Sequence, residues 1–228
     1  MSIFPFREGE WYSVRDLKEA AAEILAKTAS DKEFAAAMRV PEHKLYPWSK
    51  YWMEEIFPCW RLATELGLSD DDGFKWTPVG AADIEFRTGE KTLKIQCTTA
   101  YAERVGTIAK QGGHLRSLEM EESNATGMVW LGGGLTAPRT VDVAKEREAW
   151  RVGIATAIGK KLKPNYRGCW LLIYAPQCQF DLIGGDDFSD VIRAASDQVG
   201  RDQWGAIFDG LYVLDSPLGA LVELRNNG

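Results

Sequence analysis

The chain has 228 residues, with 27 lysine and arginine side chains against 33 aspartate and glutamate side chains and a formal net charge of −6. Hydrophobic residues make up 45% and charged residues 26%, which is the globular average and excludes disordered, collagen-like and coiled-coil classes. The length accommodates one large domain, or one domain with an appendage. The negative charge argues against a protein that holds long nucleic acid by bulk electrostatics.

The apolar runs and the cysteines indicate the cellular environment. The longest uninterrupted apolar run, residues 169–175, is far shorter than the roughly 18 residues of a membrane helix, and the first residues lack the order of a signal peptide. We therefore expect a cytoplasmic protein with no membrane contact. Cys59, Cys97, Cys169 and Cys178 form no CxxC pair, so we expect small buried hydrophobic residues, without disulfides or a structural zinc.

The first predicted elements are helices. Apolar residues at helical spacing follow Ser13, a candidate N-cap, and a second helix is predicted after Asp31. Another helical stripe covers residues 47–66, in which Pro58 should kink or restart the helix. We expect an N-terminal helical segment at residues 1–46 and an α/β domain at residues 47–228.

Alternation of polar and apolar residues then predicts a β-hairpin, with strands at residues 82–87 and 90–98 after a short strand at 74–77. Asp83, Lys94 and Gln96 share the polar face of this hairpin because side chains alternate across a strand. With Thr88 and Gly89 as the turn, Asp83 lies opposite Lys94 and diagonal to Gln96.

The remaining elements complete a sheet. Residues 101–143 are glycine-rich around one candidate strand at 128–131, and we interpret them as an excursion from the core. The pattern then predicts a helix at 143–162, a strand buried on both faces at 169–175, a helix at 188–199, and strands around 206–214 and 220–224. This order predicts a mixed α/β or α+β sheet flanked by helices.

The polar face of the hairpin combines an acid, a lysine and an amide carbonyl. Magnesium prefers hard oxygen ligands and usually keeps several waters, so one or two carboxylates and a carbonyl are sufficient to hold it. A nearby ammonium group can hold a phosphate or an attacking water. The pattern therefore favours phosphodiester hydrolysis, whereas an ordinary solvated strand face with a cross-strand pair between Glu85 and Lys94 is the alternative interpretation.

The order of elements over residues 48–176 resembles the αβββαβ core of the PD-(D/E)XK, or restriction-endonuclease-like, superfamily. The residues behind the resemblance are the helix with Glu54 and Glu55, the strand with Asp83, and the strand 94–98 with the sequence KIQCT. The resemblance implies a mixed central sheet flanked by helices. It also implies a nuclease that binds Mg²⁺ or Mn²⁺.

The resemblance assigns roles residue by residue. Asp83 matches the first metal-binding position, and Gln96 stands at the second acidic position, where its carbonyl can still bind the metal. Glu55 is the helical ligand because it lies on the apolar stripe, whereas Glu54 belongs to the solvated face. Thr98 stands where the family has its lysine. That lysine is replaced by Lys94 on the same face, or from the helix by Lys160 or Lys161.

We therefore expect a metal-dependent endonuclease that cleaves DNA, with Asp83, Gln96 and Glu55 as metal ligands and Lys94 as the charge-stabilising lysine. A nucleic-acid-binding cluster is expected at Lys160, Lys161, Lys163 and Arg167, within a segment where seven basic side chains outnumber two acidic ones between residues 144 and 170. A solvated helix end is the simpler explanation of that cluster. The alternative function is an inactive member of the same fold that binds nucleic acid or a protein. The sequence does not decide whether the substrate is DNA or RNA, whether cleavage is sequence-specific, or whether two copies pair as a homodimer.

Overall fold

A seven-stranded mixed sheet forms the centre of the protein in a computed structural model that describes residues 5–39, 48–101, 143–175, 188–214 and 221–226. The strands are β1 (Trp11–Ser13), β2 (Gly73–Trp76), β3 (Ile84–Thr88), β4 (Lys91–Thr99), β5 (Cys169–Tyr174), β6 (Phe208–Leu214) and β7 (Leu221–Arg225). They lie in the sheet in chain order. The pairs β1–β2, β2–β3 and β3–β4 are antiparallel. The pairs β4–β5 and β5–β6 are parallel, and β6–β7 is antiparallel.

Helices lie on both faces of the sheet. They are α1 (Val14–Ser30), α2 (Lys32–Arg39), α3 (Ser49–Tyr51), a π-helical turn (Trp52–Ile56), α4 (Phe57–Glu65), α5 (Val143–Lys160), α6 (Phe188–Val199) and α7 (Arg201–Gly205). One core joins α1 and α4 to one face, and a second core joins α5 and α6 to the other. The predicted α/β class with a mixed sheet and flanking helices is confirmed. None of the helices described is both long and apolar enough to cross a bilayer.

The N-terminal segment contributes a strand as well as helices. Ser13 ends β1 and caps α1, where its hydroxyl accepts a hydrogen bond from the backbone N–H of Asp16 and the Asp16 carboxylate accepts one from the Ser13 N–H. This capping geometry confirms the predicted helix start. Strand β1 was not predicted because three residues show no periodicity. Through β1 and the buried face of α1, this segment shares the sheet and the first core with later elements.

The hairpin β3–β4 is confirmed, but its predicted register is wrong. The two-residue turn is Gly89 and Glu90, so Glu85 lies opposite Lys94. Gly89 has a φ of 58°, and no other residue type in the described chain has a positive φ. A type II′ turn needs such a conformation at its first central position, so glycine fixes the turn one residue later than predicted. Asp83, just before β3, consequently lies beside Gln96 and not opposite Lys94.

The helix over residues 49–65 is interrupted as predicted, ahead of Pro58. The N–H of Phe57 bonds the carbonyl of Trp52 five residues earlier, which widens the turn. Proline has no N–H and its ring clashes with the carbonyl four residues before it, so a wider turn relieves the clash with Glu54. The π-helical turn therefore carries Glu54 and Glu55 at a point where the chain departs from regular helix geometry.

The other predicted elements agree closely. The helix at 188–199 and the buried strand from Cys169 are confirmed, whereas α5 ends at Lys160, two residues early. Cys59, Cys97 and Cys169 are free and buried, as expected. Cys178 and the candidate strand at 128–131 lie outside the described residues.

Candidate active site

Asp83 and Gln96 form a buried polar pair on neighbouring strands. Asp83 is 6% exposed and Gln96 is 2% exposed. The Oδ2 atom of Asp83 accepts hydrogen bonds from Gln96 Nε2 and from the backbone N–H of Cys97, the latter at 2.7 Å. Within the described residues both hydrogen bonds to this carboxylate end on Oδ2, so Oδ1 is the oxygen that faces other ligands. Burial raises the pKa of Asp83, and the Cys97 N–H and the charge of Lys161 partly offset this.

The pair opens into a pocket of about 610 Å³. Its walls come from the helical segment 50–55, the loop 78–80, the last half of β4 and the segment after α5, and the lining residues include Lys50, Tyr51, Glu54, Glu55, Asp83, Gln96, Thr98, Lys161, Asn165 and Tyr166. Most of these side chains are polar or charged. A volume of this size holds a small ligand together with water, so the buried pair is not sealed beneath apolar atoms.

The carbonyl oxygen of Gln96 is a buried acceptor without a donor. Gln96 Oε1 is inaccessible to solvent and has no hydrogen-bond partner among the described residues. Leaving a buried polar group unpaired costs about 1–3 kcal/mol. An ordered water or a cation in the pocket would satisfy this atom once the Gln96 amide turns toward it.

Glu55 reaches the same pocket from the π-helical turn. Its Oε2 accepts a hydrogen bond of 2.8 Å from Trp76 Nε1. Burial raises the pKa of Glu55 to about 7, and the charge of Asp83 acts in the same direction. Glu55 therefore lies on the inner side of its helix, as expected from the apolar stripe. Glu54, expected on the solvated face, is half-buried and also lines the pocket.

Lys161 is the lysine that the structure brings to the two acids. It lines the pocket one residue after α5, and its charge lowers the pKa of both Asp83 and Glu55. Lys161 was only one of the alternatives named from the sequence. Lys94, the first choice, is exposed, lies opposite Glu85, and is not among the residues that line the pocket. The wrong register of the hairpin is the reason for that first choice.

The rest of the basic cluster lies outside or at the rim of the pocket. Lys160, Lys163 and Arg167 are exposed. The Tyr166 ring lies between two lysines, with Lys161 Nζ at 5.6 Å and Lys163 Nζ at 5.9 Å from its centre. Tyr166 and Asn165 were not predicted as site residues. Asn165 and Tyr166 lie at the pocket because of the path of the loop between α5 and β5. The sequence pattern does not predict that path.

The residues present fit a hard divalent cation with few protein ligands. Among the residues that the structure describes, no group of three histidine, cysteine, aspartate or glutamate side chains is placed to hold a metal ion. The donors here are two carboxylates and the unpaired amide oxygen of Gln96. Magnesium takes oxygen ligands and keeps several waters, so this set suits Mg²⁺ or Mn²⁺ and does not suit zinc.

The high pKa of Glu55 makes a prediction about pH and stability. The folded protein keeps the Glu55 proton up to about pH 7, whereas the unfolded chain releases it near pH 4.5. The free energy of unfolding should therefore fall as pH rises through this window, by about 3 kcal/mol from this group. Glu55→Gln can still accept the Trp76 hydrogen bond but cannot titrate.

Urea unfolding of the wild type and of Glu55→Gln in EDTA, between pH 4.5 and 8, measures this difference. We expect the wild type to lose stability relative to Glu55→Gln as pH rises to 7, and the difference to level off above it. Parallel pH profiles for the two proteins would show that the Glu55 carboxyl is not held in its neutral form.

Comparison with known proteins gives no relative: no family model matches the sequence, and no curated protein or solved structure has significant similarity to it.

Proposed function

We propose that this protein is a metal-dependent nuclease that hydrolyses phosphodiester bonds, with DNA as its substrate. The observation that carries the proposal is the buried pair of Asp83 and Gln96 in the wall of a polar pocket, with the carbonyl oxygen of Gln96 unpaired. The same pocket contains Glu55 and Lys161. Two carboxylates, a free carbonyl and an ammonium group are the components that phosphodiester hydrolysis with a bound divalent cation requires.

Each of these side chains has a distinct role. Asp83 and Glu55 would hold Mg²⁺ or Mn²⁺ through carboxylate oxygens, and Gln96 through Oε1. When bound, the cation supplies Lewis-acid polarisation of the phosphoryl group and a more acidic water. Lys161 supplies positive charge beside both carboxylates, where it stabilises the negative charge that develops on the phosphoryl oxygens.

The element order is consistent with a restriction-endonuclease-like core, which we include in the proposal. Helix α4, strands β2, β3 and β4, helix α5 and strand β5 follow one another as αβββαβ. Strands β2 to β4 form an antiparallel meander, and β5 then pairs parallel to β4 after the α5 crossover. The proposed ligands come from the π-helical turn before α4, from the residue just before the second strand and from the third strand of this core.

Exposed cations beside the pocket favour a nucleic-acid substrate. Lys160, Lys163 and Arg167 are exposed and lie within six residues of the pocket lysine, Lys161, in the chain. We propose that they contact phosphates that flank the scissile bond, so that a local basic surface compensates for the negative charge of the whole chain. A single site of this kind cuts one strand at a time, and cleavage of both strands would require a second copy of the chain.

A binding module without catalysis is the second candidate function. Two features favour it: Thr98 stands at the position where the family has its lysine, and the Gln96 amide donates a hydrogen bond to Asp83. This candidate predicts binding of nucleic acid with no cleavage under any metal.

Incubation with negatively supercoiled plasmid, in which strands separate locally, and with single-stranded DNA separates the two candidates. We expect the purified protein to nick the plasmid in Mg²⁺ or Mn²⁺ and to leave it intact in EDTA. We also expect millimolar Mn²⁺ to raise the melting temperature, because a ligand that binds only the folded state stabilises it. Intact plasmid under every metal, together with an unchanged melting temperature, would contradict the nuclease proposal.

A further inference from the structure

A row of side chains crosses the first four strands on the face opposite the first core. Trp11 pairs with Lys75, Lys75 with Glu85, and Glu85 with Lys94, so the four residues lie side by side from β1 to β4. Their chain neighbours Tyr12, Phe74, Phe86 and Leu93 pack against the first core, which places the row on the other face. Arg87 lies on this face too, two residues after Glu85. We refer to Trp11, Lys75, Glu85, Arg87 and Lys94 as the basic sheet face.

The helices described on the same side of the sheet as this row, α5 and α6, pack against strands other than β1 to β4. The strand residues in the second core come from β5, β6 and β7. Lys94 and Arg87 are exposed, and Lys75 and Glu85 are half-buried and paired at 2.8 Å. Because this ion pair cancels one positive and one negative charge, the basic sheet face presents the positive charges of Arg87 and Lys94.

Trp11 is held flat on this face. It is 37% exposed, and its six-membered ring lies over Gly73, where an added Cβ would be 3.1 Å from the ring atoms. The guanidinium of Arg87 is 4.4 Å and the ammonium of Lys75 is 4.9 Å from the ring centre. A tryptophan whose ring packs on a glycine and has two cations over it loses little conformational freedom when a ligand binds.

The basic sheet face leads into the pocket. Asp83 and Gln96 are two residues along from Glu85 and Lys94 on the same side of the strands, which is about 7 Å at 3.3 Å per residue. Trp11 lies three strands away from β4, or about 14 Å at the usual spacing between strands. The cations Lys75 and Lys94 lie between Trp11 and the pocket.

We propose that the basic sheet face binds a single strand of nucleic acid that runs into the pocket, with Trp11 as a platform on which a base stacks. The proposal rests on the nuclease function and names its substrate class. Single strands expose the faces of their bases and are bound by aromatic side chains next to positive charge, whereas a duplex keeps those faces stacked inside. Arg87 and Lys94 are placed to contact phosphates on either side of the stacked base.

Binding of fluorescein-labelled 12-nucleotide DNA in EDTA tests the proposal, because binding is then measured without cleavage. The single strand, its duplex and the RNA of the same sequence are compared. We expect the wild type to bind a single strand more tightly than the duplex. Trp11→Ala should weaken single-strand binding by about 5- to 100-fold, and Trp11→Phe, which keeps an aromatic ring, should restore most of the affinity.

Two further variants show that the effect belongs to this face. Arg87→Ala should lower the slope of log affinity against log salt by about 1, as expected when one phosphate contact is lost. Arg193→Ala, an exposed cation on α6, is the matched control and should bind like the wild type. Because Trp11→Phe keeps the ring, a loss that occurs in Trp11→Ala and not in Trp11→Phe identifies stacking and not a folding defect.

Several outcomes would overturn the inference. The first is wild-type affinity in Trp11→Ala, and the second is an equal loss of duplex and single-strand binding in that variant. The third is displacement of the oligonucleotide by poly-glutamate at equal charge, which would indicate an acidic protein partner. Failure of the nuclease function looks different, since the wild type would then bind the single strand in EDTA and yet cleave nothing in Mn²⁺. Tighter binding of the RNA than of the DNA single strand would keep the proposal and assign it to RNA.

Discussion

Asp83→Asn is expected to reduce metal-dependent plasmid cleavage by about 100-fold or more. The substitution removes one negative charge from the pocket and keeps the shape of the side chain. The carbonyl of the introduced asparagine can take the place of Oδ2 and still accept the hydrogen bonds from the Cys97 N–H and from the Gln96 amide. The loss should therefore appear in cation binding and cleavage, with only a small change in stability.

Initial rates of nicking against Mn²⁺ concentration measure this effect, with melting temperatures recorded on the same samples. Wild-type protein should be stabilised by Mn²⁺, and Asp83→Asn should not. Glu90→Gln is the matched control, because it removes an acid from the exposed hairpin turn and should keep both cleavage and stabilisation. Equal rates for Asp83→Asn and the wild type would remove Asp83 from the catalytic site.

Lys161→Met is expected to reduce the cleavage rate by about 100- to 1,000-fold, comparable to the loss of one transition-state hydrogen-bond donor. Methionine keeps an unbranched side chain of similar length that can pack beside Tyr166, and it removes the charge that lowers the pKa of Asp83 and Glu55. In the absence of that charge the pKa of both acids should rise further. The pH at which cleavage reaches half its maximum should then move upward.

The full pH–rate profile in saturating Mn²⁺ distinguishes a catalytic lysine from a structural one. Lys91→Met, on exposed β4 outside the pocket, is the control and should keep the wild-type rate and profile. Lys94→Met should show a smaller loss than Lys161→Met, because Lys94 is outside the pocket. A large loss in Lys94→Met together with a normal rate in Lys161→Met would reverse the assignment made from the structure.

Alternation along the strands was sufficient to place Asp83 and Gln96 on one face of the sheet. Side chains alternate between the two faces in every β-strand, so this placement does not depend on which residues form the turn. The register depends on which residues form the turn, and there the positive φ of Gly89 decided the pairing. The turn position therefore excluded Lys94 from the pocket although its face was predicted correctly.

Features that depend on tertiary packing could not be read from the pattern. Lys161 reaches the pocket because α5 packs in the second core and ends beside the pocket, and no local signal encodes that placement. Glu54 and Lys50, four residues apart on the helical segment, both line the pocket, and a polar helix face in a sequence does not show whether it borders a pocket. Strand β1 is too short to show a period, and its pairing with β2 is what places Trp11 on the basic sheet face.

Diffraction from crystals grown in Mn²⁺, recorded at the manganese absorption edge, tests the candidate metal site most directly. We expect an anomalous peak within bonding distance of a carboxylate oxygen of Asp83 and of Gln96 Oε1, with the hydrogen bond between the two side chains broken or turned. A pocket without a peak, in which Gln96 Nε2 still donates to Asp83 Oδ2 at saturating Mn²⁺, would contradict the proposal that these two residues bind a catalytic cation.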